Sequence, residues 1–197
     1  MKIIKSLNSP ELVESIKNGA VGVLPTDTIY GLSADALNKE AVERIYRVKG
    51  RSYNKPLIVF IASEKDLELF DIKVGKSEKS VLEKVWPGMV SVVLPLPNKR
   101  FDYLHRGTKT VAFRYVMGRE LSSFVKQTGP IVSTSANPEG LPFATTIKEA
   151  KKYFGNKVDF CVDGGKLKTL PSTIILIDKR GKVKILRQGA VTINQHD

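Results

Sequence analysis

The 197-residue chain contains a single cysteine, Cys161. A lone thiol closes no internal disulfide, and no Cys/His spacing of a metal site is present. Histidine is almost as scarce, with only His105 and His196, the second in the tail. There is no Ser-His-Asp order, no HExxH and no P-loop. Gly164-Gly165 reads as a turn rather than a dinucleotide fingerprint. Covalent catalysis and a protein-bound catalytic metal are therefore not expected. No apolar run approaches the roughly 20 residues a membrane helix needs. The start, Met1-Lys2-Ile3-Ile4-Lys5, is too short and too interrupted for a signal peptide. A cytoplasmic chain with no membrane partner is expected. Acidic residues are also in deficit: Asp+Glu number 20 against 32 Lys+Arg, a formal net charge of +12. That surplus favours polyanionic partners such as nucleotides, RNA or anionic lipid, although charge spread evenly for solubility would look the same. Aromatic residues are not interleaved with the basic ones as in a single-strand stacking platform.

What is present suits one folded domain spanning 1–197, with 42% hydrophobic residues for a core. Helix-like and strand-like segments alternate. Ser9-Pro10-Glu11 is a helix start with proline at the first helical position, and Gly19 ends that element. Val21–Leu24 is a short strand closed by Pro25. Asn38 caps a helix with Val42, Ile45, Tyr46 and Lys49 at helical spacing, stopped by Gly50. Leu57–Ala62 is a continuous apolar run, as in a sheet covered on both faces. Ser63 with Asp66 reads as a capping box, and Glu78–Trp86 as a further helix. Val90–Leu94, Thr110–Tyr115 and Pro130–Ser133 read as strands, and Arg119–Gln127 as a helix. Thr146 with Glu149 caps a helix ending near Gly155. The remaining strands are Val158–Val162, Thr173–Asp178 and Val183–Leu186, the last two joined by a hairpin at Lys179-Arg180-Gly181-Lys182. The pattern predicts an α/β fold with a twisted, mixed parallel and antiparallel sheet flanked by helices.

Several stretches have chemical rather than merely structural composition. Pro25-Thr26-Asp27-Thr28-Ile29-Tyr30-Gly31-Leu32 follows a buried strand directly, where open α/β sheets bind ligands; a turn with hydroxyls capping local backbone is the alternative. Lys49-Gly50-Arg51 and Lys55-Pro56 put three cations within seven positions. They could clamp a triphosphate, or simply complement a helix C-terminus. Arg114, at the end of an apolar strand, needs an anion: a substrate carboxylate or an internal Asp or Glu serves equally. Ser133-Thr134-Ser135-Ala136-Asn137-Pro138 is denser in small polar groups than a turn requires. Pro171-Ser172-Thr173 and Leu186-Arg187-Gln188-Gly189 are unremarkable singly.

In their order and spacing, together with Pro56-Leu57-Ile58-Val59 and Trp86-Pro87-Gly88, these stretches resemble the YrdC family of threonylcarbamoyl-AMP synthases. The likeness runs from about Ser9 to Thr192. It implies a YrdC-like fold with a concave basic face, and the condensation of L-threonine, bicarbonate and ATP. By position it implies that Thr28, Arg114, Ser133 and Ser172 hold L-threonine. Arg51, Lys55, Thr110, Ser135, Asn137, Phe143 and Arg187 would surround ATP. Lys49 and Arg51 would be catalytic, with Tyr30 shaping the pocket. Phe60 stands where long-form members carry a histidine near threonine, and Ser33 and Gln188 where glycine and proline are common. The chain stops soon after Arg187, so the long form's extra C-terminal domain and its closing linker are not expected.

The resemblance further implies Mg²⁺ brought by ATP, a TsaD-type transferase as acceptor of the product, and tRNA or double-stranded RNA as a further partner. The carbamate formed from threonine and bicarbonate and the ATP it attacks are both anionic, so collecting cations and excluding water is the chemistry such a site has to provide. Two readings compete: a non-catalytic double-stranded RNA or tRNA-binding module, and a carbamoyl-phosphate-using adenylation enzyme, whose longer chains carry zinc-binding cysteines that one cysteine here does not supply.

Overall fold

The computed structural model describes residues 1–178 and 180–193. Among these residues, ten strands form one sheet. They are β1 (Lys2–Ile4), β2 (Gly22–Leu24), β3 (Gly31–Asp35), β4 (Ile58–Ile61), β5 (Val90–Pro95), β6 (Thr110–Tyr115), β7 (Ile131–Ser135), β8 (Phe160–Val162), β9 (Thr173–Ile177) and β10 (Val183–Arg187). Their order across the sheet is β1-β8-β2-β3-β7-β4-β6-β5-β9-β10. The expected mixture is observed: β4 and β6, and β5 and β9, are parallel, whereas β3 and β7, β4 and β7, β5 and β6, and β9 and β10 are antiparallel.

Among the described residues, six α-helices flank it: α1 (Pro10–Lys17), α2 (Lys39–Lys49), α3 (Lys76–Val85), α4 (Asp102–His105), α5 (Arg119–Thr128) and α6 (Ile147–Phe154). Local sequence explains their ends. Asn38 accepts from Ala41 N–H at 3.0 Å and so caps α2. Gly50 closes the same helix in the left-handed region, at φ 63°. Thr146 caps α6 through Glu149 N–H at 3.3 Å. Ser9, in contrast, makes no side-chain cap at α1. The Ser63–Asp66 capping box forms, but it opens a 3-10 helix over Glu64–Phe70.

The sheet's central strands separate two environments. Val59, Val92, Phe113 and Val132 enter the larger apolar cluster, completed by Ile45 of α2, Leu82 of α3, Leu104 of α4 and Phe154 of α6. The opposite face is covered at one end by a smaller cluster, in which Leu12 and Ile16 of α1 and Leu121 and Phe124 of α5 pack on Phe60, Ile131 and Phe160. Gly22 is needed there, because a Cβ at that position would lie 2.2 Å from the Phe160 ring. Helices α1 and α5 leave the other end of that face open, and the alternation of strand residues turns Ile58, Ala112, Arg114, Ser133 and Val93 towards it.

Three features differ from the sequence expectation. The strand β1, the strand β3 and the single-turn helix α4 were all outside it. In particular, Gly31 and Leu32, read as loop, begin β3, which pairs with β2 and β7. The hairpin between β9 and β10 is present, with Asp178 N–H donating to Lys182 O at 3.0 Å. Lys179 of that turn, and His196, lie outside the described residues.

Candidate active site

The open end of the sheet face holds a cavity of about 390 Å³. Its floor is strand backbone and small side chains from β3, β7, β4, β6, β5 and β9. Gly31 keeps it open beside Ser133: a Cβ on Gly31 would stand 2.3 Å from Ser133 Oγ.

The residues singled out from sequence divide into those that line the cavity and those that do not. Thr28, Arg51, Thr110, Arg114, Ser133, Ser135, Phe143, Ser172 and Arg187 all line this one cavity. Tyr30 lies beneath it, fully buried, its hydroxyl donating to Gly165 O at 2.8 Å and accepting from Gly164 N–H at 2.9 Å. Lys49, Lys55 and Asn137 are not among the lining residues.

Lys49 is only 3% exposed and turned into the protein. Its Nζ donates to Ser135 O at 2.5 Å, Asn137 O at 2.7 Å and Asn137 Oδ1 at 2.9 Å. It thereby ties the end of α2 to the turn after β7, which presents Ser135 to the cavity. Burial, and then the neighbouring Arg51, lower its pKa to about 7, with Glu139 opposing. Asn137 completes the turn by donating to Pro138 O at 3.0 Å and to Leu141 O at 2.5 Å. Lys55 points outward and pairs with Glu139. Glu139 also accepts from Ser52 Oγ at 3.0 Å, and these contacts hold its carboxyl down at about 2.

Arg51 leaves the helix through the left-handed Gly50 and meets the cavity wall. Its Nε donates to Lys55 O and its Nη2 to Pro56 O, each at 2.9 Å. Arg187 donates to Ser172 O at 2.7 Å and to Ser172 Oγ at 3.2 Å. Neither arginine has a carboxylate partner among the described residues.

Arg114 differs. It is 1% exposed and forms an ion pair with Asp27, so the internal partner left open from sequence is present. It also donates to Thr28 Oγ1 at 3.2 Å, and its guanidinium carbon lies 4.2 Å from the centroid of the Phe60 ring. Burial pushes the Asp27 carboxyl above its ordinary range against the pull of Arg114. Asp27 was not singled out from sequence, although it stands between Thr26 and Thr28 in the hydroxyl-rich stretch. Two further hydroxyl pairs orient the floor: Ser33 Oγ donates to Ser133 Oγ at 3.0 Å, and Ser91 Oγ lies 2.9 Å from Ser172 Oγ.

The cavity lining contains no carboxylate, and no group of three or more His, Cys, Asp or Glu suited to a metal occurs among the described residues. The donors are neutral hydroxyls and cations, which suit anionic ligands. No helix among the described residues is long and apolar enough to cross a membrane.

A Methanocaldococcus jannaschii protein is 34% identical over 209 residues, covering 98% of this chain and 96% of its own length. The Bacillus subtilis threonylcarbamoyl-AMP synthase is 30% identical over 96% of this chain, which spans 56% of that protein. The solved structure of Pyrococcus abyssi Sua5 complexed with L-threonine superimposes with a TM-score of 0.85 at 30% identity, over 96% of this chain and 58% of that one. Escherichia coli YciO shares the fold, with a TM-score of 0.84 at 23% identity. Residues 14–189 match the model of the Sua5/YciO/YrdC family, described as Telomere recombination; the chain belongs to this family.

Proposed function

We propose that this protein joins L-threonine, bicarbonate and ATP into threonylcarbamoyl-AMP and releases pyrophosphate, a nucleotidyl transfer. The single observation that carries the reading is the shared cavity: the four residues expected to hold threonine line it with five expected around ATP or in catalysis, in a chain that aligns over 96% of its length with a threonine-bound Sua5.

The charges divide the cavity. Arg114 is already offset by Asp27, so it offers directed donors with little net field, beside the hydroxyls of Thr28, Ser133 and Ser172. That suits a zwitterionic amino acid. Arg51 and Arg187 keep their charge, which suits a polyphosphate. The threonine amine attacks bicarbonate carbon, and loss of water leaves the N-carboxylate. A carbamate oxygen then attacks the α-phosphorus of ATP in line, and the bond to the β-phosphoryl oxygen breaks to release pyrophosphate. Arg51 and Arg187 offset the repulsion between two anions and the charge spreading over the phosphates. Lys49 acts from behind, holding Ser135 and Asn137 in place. Phe60, Ile58 and Val93 of the lining limit water, which would hydrolyse the carbamate and its adduct.

Mg²⁺ fits this site as part of the nucleotide: hydroxyls of Thr110 and Ser135 are at hand, and no carboxylate cage is needed, because Mg²⁺ keeps waters and phosphate ligands. Bound to ATP it would screen the phosphate charge. The labile product is expected to pass to a TsaD-type transferase that modifies the adenosine beside the tRNA anticodon, in the cytoplasm.

Pyrophosphate release with Mg²⁺ and ATP, omitting threonine or bicarbonate in turn, tests the proposal. Release should require both. Release that is indifferent to threonine would refute it. RNA binding with steep salt dependence and no release would favour a binding module instead.

A further inference from the structure

Outside the cavity, one buried cation is held in an unusual setting. The Arg106 side chain is fully buried, with Nη1 donating to Glu43 Oε1 at 2.8 Å. Its guanidinium carbon lies 3.8 Å from the centroid of the Tyr46 ring and 4.3 Å from that of Tyr53. Its Nε and Nη2 are buried without a hydrogen-bond partner, so stacking is most of what surrounds them. Tyr53 itself is 64% exposed: the ring that covers Arg106 belongs to a surface loop.

That loop, residues 51–56, carries Arg51. The Lys55 carbonyl accepts from both Tyr46 OH at 3.0 Å and Arg51 Nε at 2.9 Å. One atom therefore joins the stacked tyrosine to the cavity arginine. Arg106 also belongs to a second wall. Its backbone is left-handed, at φ 52°, a conformation disfavoured for arginine, and the chain continues directly to Thr108 and Thr110, which line the cavity.

We propose that Arg106 and Tyr53 are positioning residues for Arg51: the stack ties the loop after α2 to the loop after α4 and sets the width of the polyphosphate end of the cavity. The inference rests on the functional reading only in taking Arg51 to face ATP. Touching no substrate, the pair acts on ATP and leaves threonine alone.

The test is titration calorimetry of the full chain with Mg-ATP and, separately, with L-threonine. Tyr53→Ala should weaken ATP about tenfold, leave threonine affinity and Tm unchanged, and be rescued by Tyr53→Phe, which keeps the ring. Arg106→Lys, which keeps the charge beside Glu43 but loses the planar stack, should show the same ATP-selective loss. If Arg106→Lys does not fold, the Tyr53 pair of variants decides. Unchanged ATP affinity in Tyr53→Ala, equal loss of both ligands, or a wild type that binds no ATP overturns the inference. A wild type that binds ATP in this Tyr53-dependent way yet releases no pyrophosphate overturns the enzyme proposal and leaves the inference standing.

Discussion

The two faces of the central sheet come from the same strands and do opposite things. Along β4 and β6, Val59 and Phe113 point into a closed apolar cluster, while their neighbours Ile58, Ala112 and Arg114 face the cavity. On β7 the same alternation separates Val132 from Ser133. A strand's period of two lets one segment supply both core and site, so the packed face holds rigid the backbone from which the polar face presents its donors. The molecule also holds three buried cations, each stabilised differently: Arg114 by Asp27, Arg106 by Glu43 and two rings, Lys49 by neutral oxygens alone.

Substitutions on each face should separate stability from activity. The largest effect is expected from Phe113→Ala. Phe113 is fully buried, with its ring centroid 5.1 Å from that of Phe70. Removing it should cost about 3–5 kcal/mol in denaturant unfolding, with the KM values of the molecules still folded unchanged. Altered KM at full stability would contradict the division between faces. Arg51→Ala should do the reverse: pyrophosphate release falls about 10²–10³-fold, while the unfolding midpoint stays near wild type. Full activity would remove Arg51 from the phosphate end.

Lys49 sharpens the comparison through pH. Its folded pKa, about 7, lies below the ordinary 10.5, so the unfolded chain binds more protons between those values. Stability should therefore rise as pH climbs from about 7 towards 10, as the buried ammonium loses its proton. Lys49→Met should abolish that slope, so the difference between the two pH profiles reads the Lys49 contribution. Parallel profiles would show that the ammonium is not desolvated.

The elements easiest to read from sequence were those whose local signals agree. Asn38 and Gly50 bracket α2, and the apolar Leu57–Ala62 run marks β4. The strand β3 was not legible, because Gly31, Ser33 and Asp35 lack strand character. Its reason for being a strand lies in β7, a hundred positions on, where Ser33 meets Ser133. In the site, the hydroxyl runs at strand ends were informative, because a turn alone does not need so many. The cations were harder. Spacing suggested that Lys49, Arg51 and Lys55 act together, yet Lys49 continues the buried stripe of Val42, Ile45 and Tyr46, and that helical phase was the available sign that it faces inward. Asp27 and Arg106 were missed because their partners, Arg114 and Tyr46 with Tyr53, are distant in the chain.

Amide chemical-shift mapping on adding L-threonine tests the division of the sheet most directly. Shifts should concentrate at Thr28, Gly31, Arg114, Ser133 and Ser172, with Leu82, Leu104 and Phe154 beneath the other face undisturbed. Shifts centred on those core positions, or none at saturating threonine, would contradict the assignment of the open face as the active site.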